Sequence, residues 1–160
     1  MSAEIVLSRD ALAQRLARER ARGLRVVLAN GCFDLVHVGH VRYLVDARSR
    51  GDCLVVALNT DESVRALKGA GRPILPLHER AELLAALRCV DFVTSFSETT
   101  LEETLRALRP DVHAKGTDYA VTTVPERDVD RELGIEIAIC GDPKQRSSSA
   151  LLSRRSDSAP

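Results

Sequence analysis

The sequence has no net charge, since its 160 residues carry 23 lysines and arginines against 23 aspartates and glutamates. A chain with this balance has no overall field that draws it to nucleic acid or to an anionic membrane surface. We therefore expect neither a nucleic-acid partner nor a membrane partner. Any bound anion must be held by a local arrangement of side chains and backbone.

Long apolar runs and paired cysteines are also missing. No stretch approaches the roughly 20 apolar residues of a membrane-spanning helix, and the opening MSAEIVLSRD does not read as a charged leader before an apolar segment. The four cysteines lie far apart, without a C-x-x-C pair, and three sit within or beside apolar runs. This distribution favours buried thiols in a reducing compartment, and we expect a cytoplasmic protein.

Lysine is scarce, because only three of the 23 basic residues are lysines, at Lys68, Lys115 and Lys144. The first two are each followed by glycine. Where arginine is the usual cation, a lysine beside a flexible backbone can serve as a point charge for phosphate. Lysine identity alone nevertheless favours the alternative, which is chance placement in turns.

The sequence does contain a regular alternation of short apolar runs with segments of helical periodicity. Such runs are typical of strands that are buried on both faces, and they occupy residues 25–30, 53–59, 91–96, 111–116 and 135–141. Strand–helix–strand units with right-handed crossovers make a parallel sheet. The predicted fold is α/β, a single Rossmann-like domain with a five-stranded parallel sheet flanked by helices.

The predicted organisation places an N-terminal helix within residues 1–24, the main domain at 25–155 and a frayed tail at 156–160. In an open parallel sheet, ligands bind at the carboxyl ends of the strands, near the point where strand order reverses. The segments after the five strands are NGCFDLVHVGH, NTDES, SFSETT, KGTDY and GDPKQRSSS. They hold two closely spaced histidines, two of the three lysines and a serine cluster, so we expect the functional site there.

The first of these segments, NGCFDLVHVGH, has the features of a phosphate site. Gly31 lets a backbone approach a ligand closely, and the helix that begins near the histidines directs unpaired N–H groups to the same place. His37 and His40 flank Gly39 and can face one phosphate across a helical turn. A histidine can also donate a directed hydrogen bond, which a lysine point charge does less well.

Three other interpretations of this segment stay open at this point. His37 and His40 with Asp34 can form a metal site, although H-x-x-H alone is a weak metal signature. Cys32 can be a nucleophile, although it has no evident activating partner. Asp34 or His37 can simply cap the helix. Spacing alone does not decide among these interpretations.

The residues GCFDLVHVGHVRYL resemble, over its full length, the signature G-x-F-D-x-x-H-x-G-H of the cytidylyltransferase-like nucleotidyltransferases. Similar segments follow along almost the entire chain, among them ALNTDESVRALKG, LHERAELLAALRCVDFV, PDVHAKGTDY and the serine-rich end. This combination is most similar to the heptose 1-phosphate adenylyltransferases, which make nucleotide-activated heptose for cell-surface polysaccharide. In many bacteria such a module is the carboxyl-terminal half of a bifunctional protein that also carries a sugar kinase.

The resemblance implies the HxGH nucleotidyltransferase fold, ATP as co-substrate with Mg²⁺, a sugar phosphate as the other small-molecule substrate, and a homodimer. No metal ligands on the protein are implied. The catalytic residues would be His37, His40 and Lys68. Those that would bind the nucleotide are Asn30, Gly31, Cys32, Phe33, Gly39, Lys115, Gly116, Asp118, Tyr119, Arg146, Ser147, Ser148 and Ser149. Candidates for the sugar-phosphate side are Asp34, Asn59, Asp61 and Arg80.

Several related activities are alternatives. Glycerol 3-phosphate cytidylyltransferase shares the first signature, and heptose 1-phosphate guanylyltransferase differs in base and anomer. The segment AKGTDY and the spacing from RPI to ER resemble the heptose group more closely. A non-catalytic nucleotide-binding module is an alternative of another class. Residues 120–134 look variable, and nothing about specificity is expected from them.

Overall fold

The computed structural model describes residues 2–143 of the chain. The strands in this range are β1 (Glu4–Ile5), β2 (Val26–Gly31), β3 (Cys53–Asn59), β4 (Phe92–Phe96), β5 (Val112–Gly116) and β6 (Glu136–Cys140). The helices are α1 (Arg9–Ala21), α2 (Val38–Arg48), α3 (Asp61–Lys68), α4 (Leu77–Ala85), α5 (Glu102–Leu108) and α6 (Arg127–Leu133), with a short 3₁₀ helix at Val121–Thr123. Lys144 and the RSSS segment at 146–149 lie outside the described residues, as does the predicted tail.

The strands form one sheet in the order β1-β4-β3-β2-β5-β6, and every neighbouring pair is parallel. The predicted parallel α/β fold is confirmed, but the predicted number of five strands is too small by one. The additional strand, β1, has two exposed residues that pair with Phe92 and Val93 of β4. A two-residue strand shows no periodicity in the sequence, because only its pairing partner defines it.

Strand β2 lies where the order of the sheet reverses. From β2, the chain adds β3 and then β4 on one side, and it later adds β5 and β6 on the other. The carboxyl ends of β2 and β5 therefore stand side by side at the switch point. In such sheets this point is where a crevice opens for a ligand.

The core lies on both faces of the sheet, and all seven residues of β3 are buried. One face packs against α2 and α4, and the other against α1, α5 and α6. Helix side chains fully buried in these two layers include Leu44, Ala47, Leu84, Leu12, Leu16 and Leu105. Both layers leave the carboxyl edge of the sheet to loops and helix starts. No helix in residues 2–143 has the length and apolar character needed to cross a bilayer.

Of two sequence predictions about helices, one is confirmed by the structure and one is not. The segment TDESVRALKGAGRPILP after β3 is polar and glycine-rich, with a proline on each side of Ile74 and Leu75, which predicts a loop or a short helix with a loop. Helix α3 followed by residues 69–76 confirms this. The segment TTLEETLRALRP predicts that α5 begins with a threonine cap, and this prediction is wrong. Its N-cap is Leu101, without a side-chain cap bond, and the Leu101 N–H is accepted by Glu126 Oε1 at 3.2 Å. A distant acceptor replaces the local one.

Candidate active site

A cleft of about 740 Å³ opens at the carboxyl ends of β2 and β5. It brings together every predicted catalytic or nucleotide-binding residue that lies in the described range. These are Asn30, Gly31, Cys32, Phe33, His37, Gly39, His40, Lys68, Lys115, Gly116, Asp118 and Tyr119. Of the four residues predicted for the sugar-phosphate side, Asp34 and Asn59 line the cleft, whereas Asp61 and Arg80 do not.

The two histidines cap the start of α2 by bonding to its backbone. His37 is the N-cap residue, and its Nδ1 accepts the Gly39 N–H at 3.1 Å. His40 bonds back in the other direction, because its Nδ1 accepts the His37 N–H at 3.3 Å. The rings stack with their centroids 3.9 Å apart. The pair thus provides N–H acceptors that serine, threonine or aspartate supply in most helices.

These bonds determine which ring nitrogen carries the hydrogen. In a neutral imidazole one nitrogen donates and the other accepts. Because Nδ1 accepts a backbone N–H in both rings, Nε2 carries the hydrogen in both neutral rings. His37 and His40 can therefore each donate an Nε2–H bond to an anion while they continue to cap the helix.

The close packing of the histidines depends on Gly39. A Cβ at this position would lie 2.9 Å from Cε1 and 3.0 Å from Nδ1 of His37. Such distances are too short for any side chain, so the glycine between the histidines is required by the ring that folds over it. The H-x-G-H spacing therefore has a steric reason as well as a chemical one.

The ring of Phe33 packs against that of His40. Its ring centroid lies 5.0 Å from that of His40 and 6.5 Å from that of Tyr43, and only 4% of the residue is exposed. Phe33 has a φ of +47°, which is uncommon for a residue with a bulky side chain. A Cβ on Gly31 would approach the Phe33 ring to 3.0 Å. The tight turn after β2 thus places an aromatic ring against His40.

Asp34 is buried, with 1% exposure, and its oxygens are engaged by the connection between α3 and α4. Oδ2 accepts from Arg72 at 2.7 Å, while Oδ1 accepts the N–H groups of Ile74 and Leu75 at 2.7 and 3.3 Å. Burial alone would raise the pKa of Asp34, but these bonds outweigh it and hold the pKa below its ordinary value. Asp34 ties this connection to the signature loop, and its role toward substrate stays a prediction.

Arg80 is fully buried and joins three segments of backbone. It donates to the carbonyl oxygens of Leu75, Cys32 and Asn59 at 2.7 to 3.0 Å, and it pairs with Asp61 at 2.7 Å. The guanidinium group thus holds the ends of β2 and β3 together beside the cleft. Contact of Arg80 and Asp61 with a sugar phosphate stays a prediction.

The two lysines of the described range occupy opposite environments. Lys68 is exposed at the end of α3, whereas Lys115 is only 6% exposed at the end of β5. Lys115 Nζ donates to Asn30 Oδ1 at 3.3 Å and lies 4.7 Å from the centroid of the Tyr119 ring.

Burial raises the pKa of the Cys32 thiol, and the charge of Lys68 opposes this only in part. Cys32 is therefore a poor nucleophile.

Comparison with known proteins places the chain that forms this cleft in a family. A model of the cytidylyltransferase-like family matches residues 28–149. The chain belongs to the cytidylyltransferase-like family. The matched range contains most of β2, all of β3 to β6 and all of the predicted site residues.

Relatives of this cytidylyltransferase-like chain include proteins called bifunctional protein HldE. Identity is 48% over 145 residues with that of Citrifermentans bemidjiense (91% of this chain, 30% of the relative). It is 50% over 143 residues with that of Streptomyces coelicolor (89% and 31%). It is 55% over 124 residues with that of Geotalea uraniireducens (78% and 24%). The chain thus spans less than a third of the length of these relatives.

A solved structure resembles the fold as well. The lipopolysaccharide core biosynthesis protein from Thermoplasma volcanium matches with a TM-score of 0.65 and 26% identity. The match covers 76% of this chain and all of that one.

The structure also places residues in the cleft that the sequence did not indicate. Tyr43 of α2 lines it, and its hydroxyl donates to Ala114 O at 2.7 Å. Glu126 lines it too, although it belongs to the stretch 120–134, from which nothing about specificity is expected. No local pattern marks Glu126, because its partners Lys115 and Leu101 lie 11 and 25 residues away.

We predict that Gly39→Ala displaces the His37 ring, because the added Cβ would occupy its space. Long-range ¹H–¹⁵N correlation spectra at about pH 8, where ordinary histidines are neutral, should show the Nε2–H tautomer for His37 and His40 in the wild type. In the variant, the His37 signals should move toward a tautomer mixture. Val45→Ala, at a 54% exposed position of the same helix, is the control and should leave the spectra unchanged. An unaltered His37 tautomer in Gly39→Ala would contradict this packing.

The depressed pKa of Asp34 predicts a pH-dependent contribution to stability. A carboxylate whose folded pKa is lowered stabilises the fold above its unfolded pKa of about 3.9, and this contribution disappears as pH falls through the folded pKa. Asp34→Asn should therefore lower the free energy of unfolding at pH 7 by about 3 kcal/mol, and by less near pH 3. Urea denaturation at both pH values measures this.

The matched control for Asp34 is Asp128→Asn. The Asp128 side chain is 77% exposed and pairs only with surface arginines, so its replacement should cost less than about 1 kcal/mol at either pH. Equal losses for Asp34→Asn at pH 7 and pH 3 would show that the bonds to Arg72, Ile74 and Leu75 do not depend on the charge.

Proposed function

We propose that this chain is a nucleotidyltransferase that transfers AMP from ATP to a sugar 1-phosphate, D-glycero-D-manno-heptose 1-phosphate, and releases pyrophosphate. The observation that carries this proposal is the pair of Nε2–H donors on the stacked rings of His37 and His40. Both lie at a helix N-terminus, where backbone N–H groups and the helix dipole also favour an anion. Lys68 adds an exposed cation to the lining of the same cleft.

The reaction forms one P–O bond and breaks another. A phosphate oxygen of the sugar 1-phosphate attacks the α-phosphorus of ATP in line, and the bond from that phosphorus to the bridging oxygen of the β-phosphate breaks. Pyrophosphate leaves with the electron pair of this bond. Both reactants are already ionised at neutral pH, so positioning and charge stabilisation supply the rate rather than a general base.

The residues of the cleft match this requirement. His37 and His40 would donate to the α-phosphate oxygens on which negative charge accumulates, and Lys68 would neutralise the leaving pyrophosphate. Mg²⁺ would arrive bound to the triphosphate, as part of the nucleotide substrate. Within residues 2–143, no group of three or more metal-ligating side chains is arranged to hold an ion without such a ligand.

The choice of ATP and heptose phosphate is supported by the relatives. The HldE proteins share about half of their aligned residues with this chain, and the AKGTDY segment resembles the heptose group. The name of the Thermoplasma protein also refers to lipopolysaccharide core biosynthesis. We infer that the product is a nucleotide-activated heptose for surface polysaccharide.

We also propose a cytoplasmic homodimer. All four cysteines are free thiols, which supports a reducing compartment. Helix α4 buries Ala81 and Leu84 in the core and leaves Leu83 on the other face 45% exposed, so this helix has apolar surface to offer to a second copy.

Pyrophosphate release tests the proposed function. The protein is incubated with Mg²⁺, with each nucleoside triphosphate in turn, and with heptose 1-phosphate of either anomer or glycerol 3-phosphate. We expect release with ATP and heptose 1-phosphate. Preference for CTP with glycerol 3-phosphate, or for GTP with the α-anomer, would replace the proposal with that activity. Measurable ATP binding without release from any pair would identify a non-catalytic module.

His40 should affect turnover much more than ATP binding, because its Nε2–H acts on charge that develops in the transition state. We predict that His40→Asn lowers kcat by about 100-fold and changes ATP affinity by less than about threefold. Asparagine keeps a short acceptor for the His37 N–H, so the helix cap is retained. His78→Ala, at an exposed position of α4, is the control and should match the wild type. Equal losses of turnover and affinity in His40→Asn would argue against a transition-state role.

A further inference from the structure

The buried side-chain atoms without a hydrogen-bond partner in residues 2–143 all lie in one cluster. They are His113 Nε2, Glu126 Oε2 and Asp130 Oδ1, and their residues are 4% exposed or less. Unsatisfied buried polar atoms are uncommon and each needs a physical explanation. The cluster lies against Lys115, since Glu126 forms an ion pair with it and the charge of Asp130 acts on it.

Glu126 uses its two oxygens on two different elements. Oε1 accepts the N–H of Leu101 at the start of α5, at 3.2 Å. Oε2 lies 3.6 Å from Lys115 Nζ at the end of β5. Glu126 is itself the N-cap residue of α6. From its position at the start of α6, one buried carboxylate thus contacts both α5 and β5 at the cleft wall.

Lys115 in turn contacts two residues of the cleft wall. Its ammonium group donates to Asn30 Oδ1 on β2 and lies over the ring of Tyr119 in the segment after β5. Asn30 and Tyr119 both line the cleft. Because Asn30 Oδ1 accepts from Lys115, the lysine orients an amide that forms part of the cleft wall.

The charge of Lys115 depends on its acidic neighbours. Burial lowers the pKa of Lys115, and the carboxylates of Glu126 and Asp130 act in the opposite direction. Asp130 is already engaged, with Oδ2 2.9 Å from His113 Nδ1. Glu126 is therefore the acid in direct contact with the ammonium group. Without its charge, burial would lower the pKa of Lys115 further.

We propose that Glu126 is a positioning residue of the nucleotide site, whose carboxylate holds the Lys115 ammonium group against Asn30 and Tyr119. The inference rests on the proposed function, because it takes the cleft to be the place where ATP binds. It assigns a role within residues 120–134 to a side chain that acts through Lys115 rather than on the reacting atoms. The excess of hydrogen-bond acceptors around Lys115 then has a physical explanation, because these acceptors keep the buried ammonium group positively charged.

The test is Glu126→Gln, measured by calorimetric titration of the full chain with ATP and Mg²⁺ between pH 6 and pH 10. Glutamine keeps an acceptor for the Leu101 N–H but removes the charge. We expect ATP affinity at neutral pH to fall about tenfold. We also expect the loss of affinity at alkaline pH to begin at lower pH than in the wild type, because Lys115 deprotonates earlier. Glu132→Gln, which breaks an exposed ion pair between α6 and Arg106, should change neither quantity.

A double-mutant cycle with Lys115→Met decides whether Glu126 acts through the lysine. The double variant should bind ATP as Lys115→Met alone does, because Glu126 then has no ammonium group to hold. Additive losses would overturn the proposal, as would unchanged or tighter ATP binding in Glu126→Gln. If Glu126→Gln does not fold, the wild type and Lys115→Met decide, and an alkaline loss of affinity that persists in Lys115→Met overturns the proposal.

Binding is measured without turnover, so the two proposals can fail separately. A wild type that binds ATP but releases no pyrophosphate overturns the proposed function and leaves the Glu126 comparison intact. A wild type that turns over normally, with Glu126→Gln equal to it in affinity and pH profile, overturns the positioning role alone. A wild type that binds no nucleoside triphosphate overturns both.

Discussion

The site depends first on two backbone N–H groups at the start of α2 that are accepted by histidine rings. The bonds from Gly39 N to His37 Nδ1 and from His37 N to His40 Nδ1 cap the helix and make Nε2 the donor nitrogen of both neutral rings, which stack on each other. The absence of a side chain on Gly39 permits this arrangement. A single local motif therefore sets the start of the helix, the tautomer of both rings and the position of the donors that we propose for catalysis.

Buried charges hold the rest of the cleft around this motif. Arg80 joins the ends of β2 and β3, Asp34 attaches the connection between α3 and α4, and Glu126 joins α5, α6 and β5. Buried ion pairs often add little net stability, because desolvation offsets their attraction. Here each charge bonds to backbone of another segment, so its effect is to set where loops lie relative to the histidines. The sheet supplies only the switch point at which those loops meet.

The proposed reaction follows from this distribution of charge. A transfer between two ionised phosphates needs donors and cations that are fixed before the reaction, and little acid–base chemistry. The signature loop provides the donors, and Lys68 and Lys115 provide cations of different kinds, one exposed and one buried. The family match and the HldE relatives agree with this chemistry, although the chain spans less than a third of those relatives' length.

The sequence alone determined the parallel α/β fold and the residues of the signature loop, because strand burial and helix capping act over a few neighbouring residues. It missed β1, whose two residues are a strand only through pairing with β4, and it misplaced the cap of α5. It also gave no role to Glu126 and did not indicate that Asp34 bonds to residues about 40 positions away. Only the tertiary structure decided these points, because the partners of a buried carboxylate come from segments that the fold, and not the chain order, brings together.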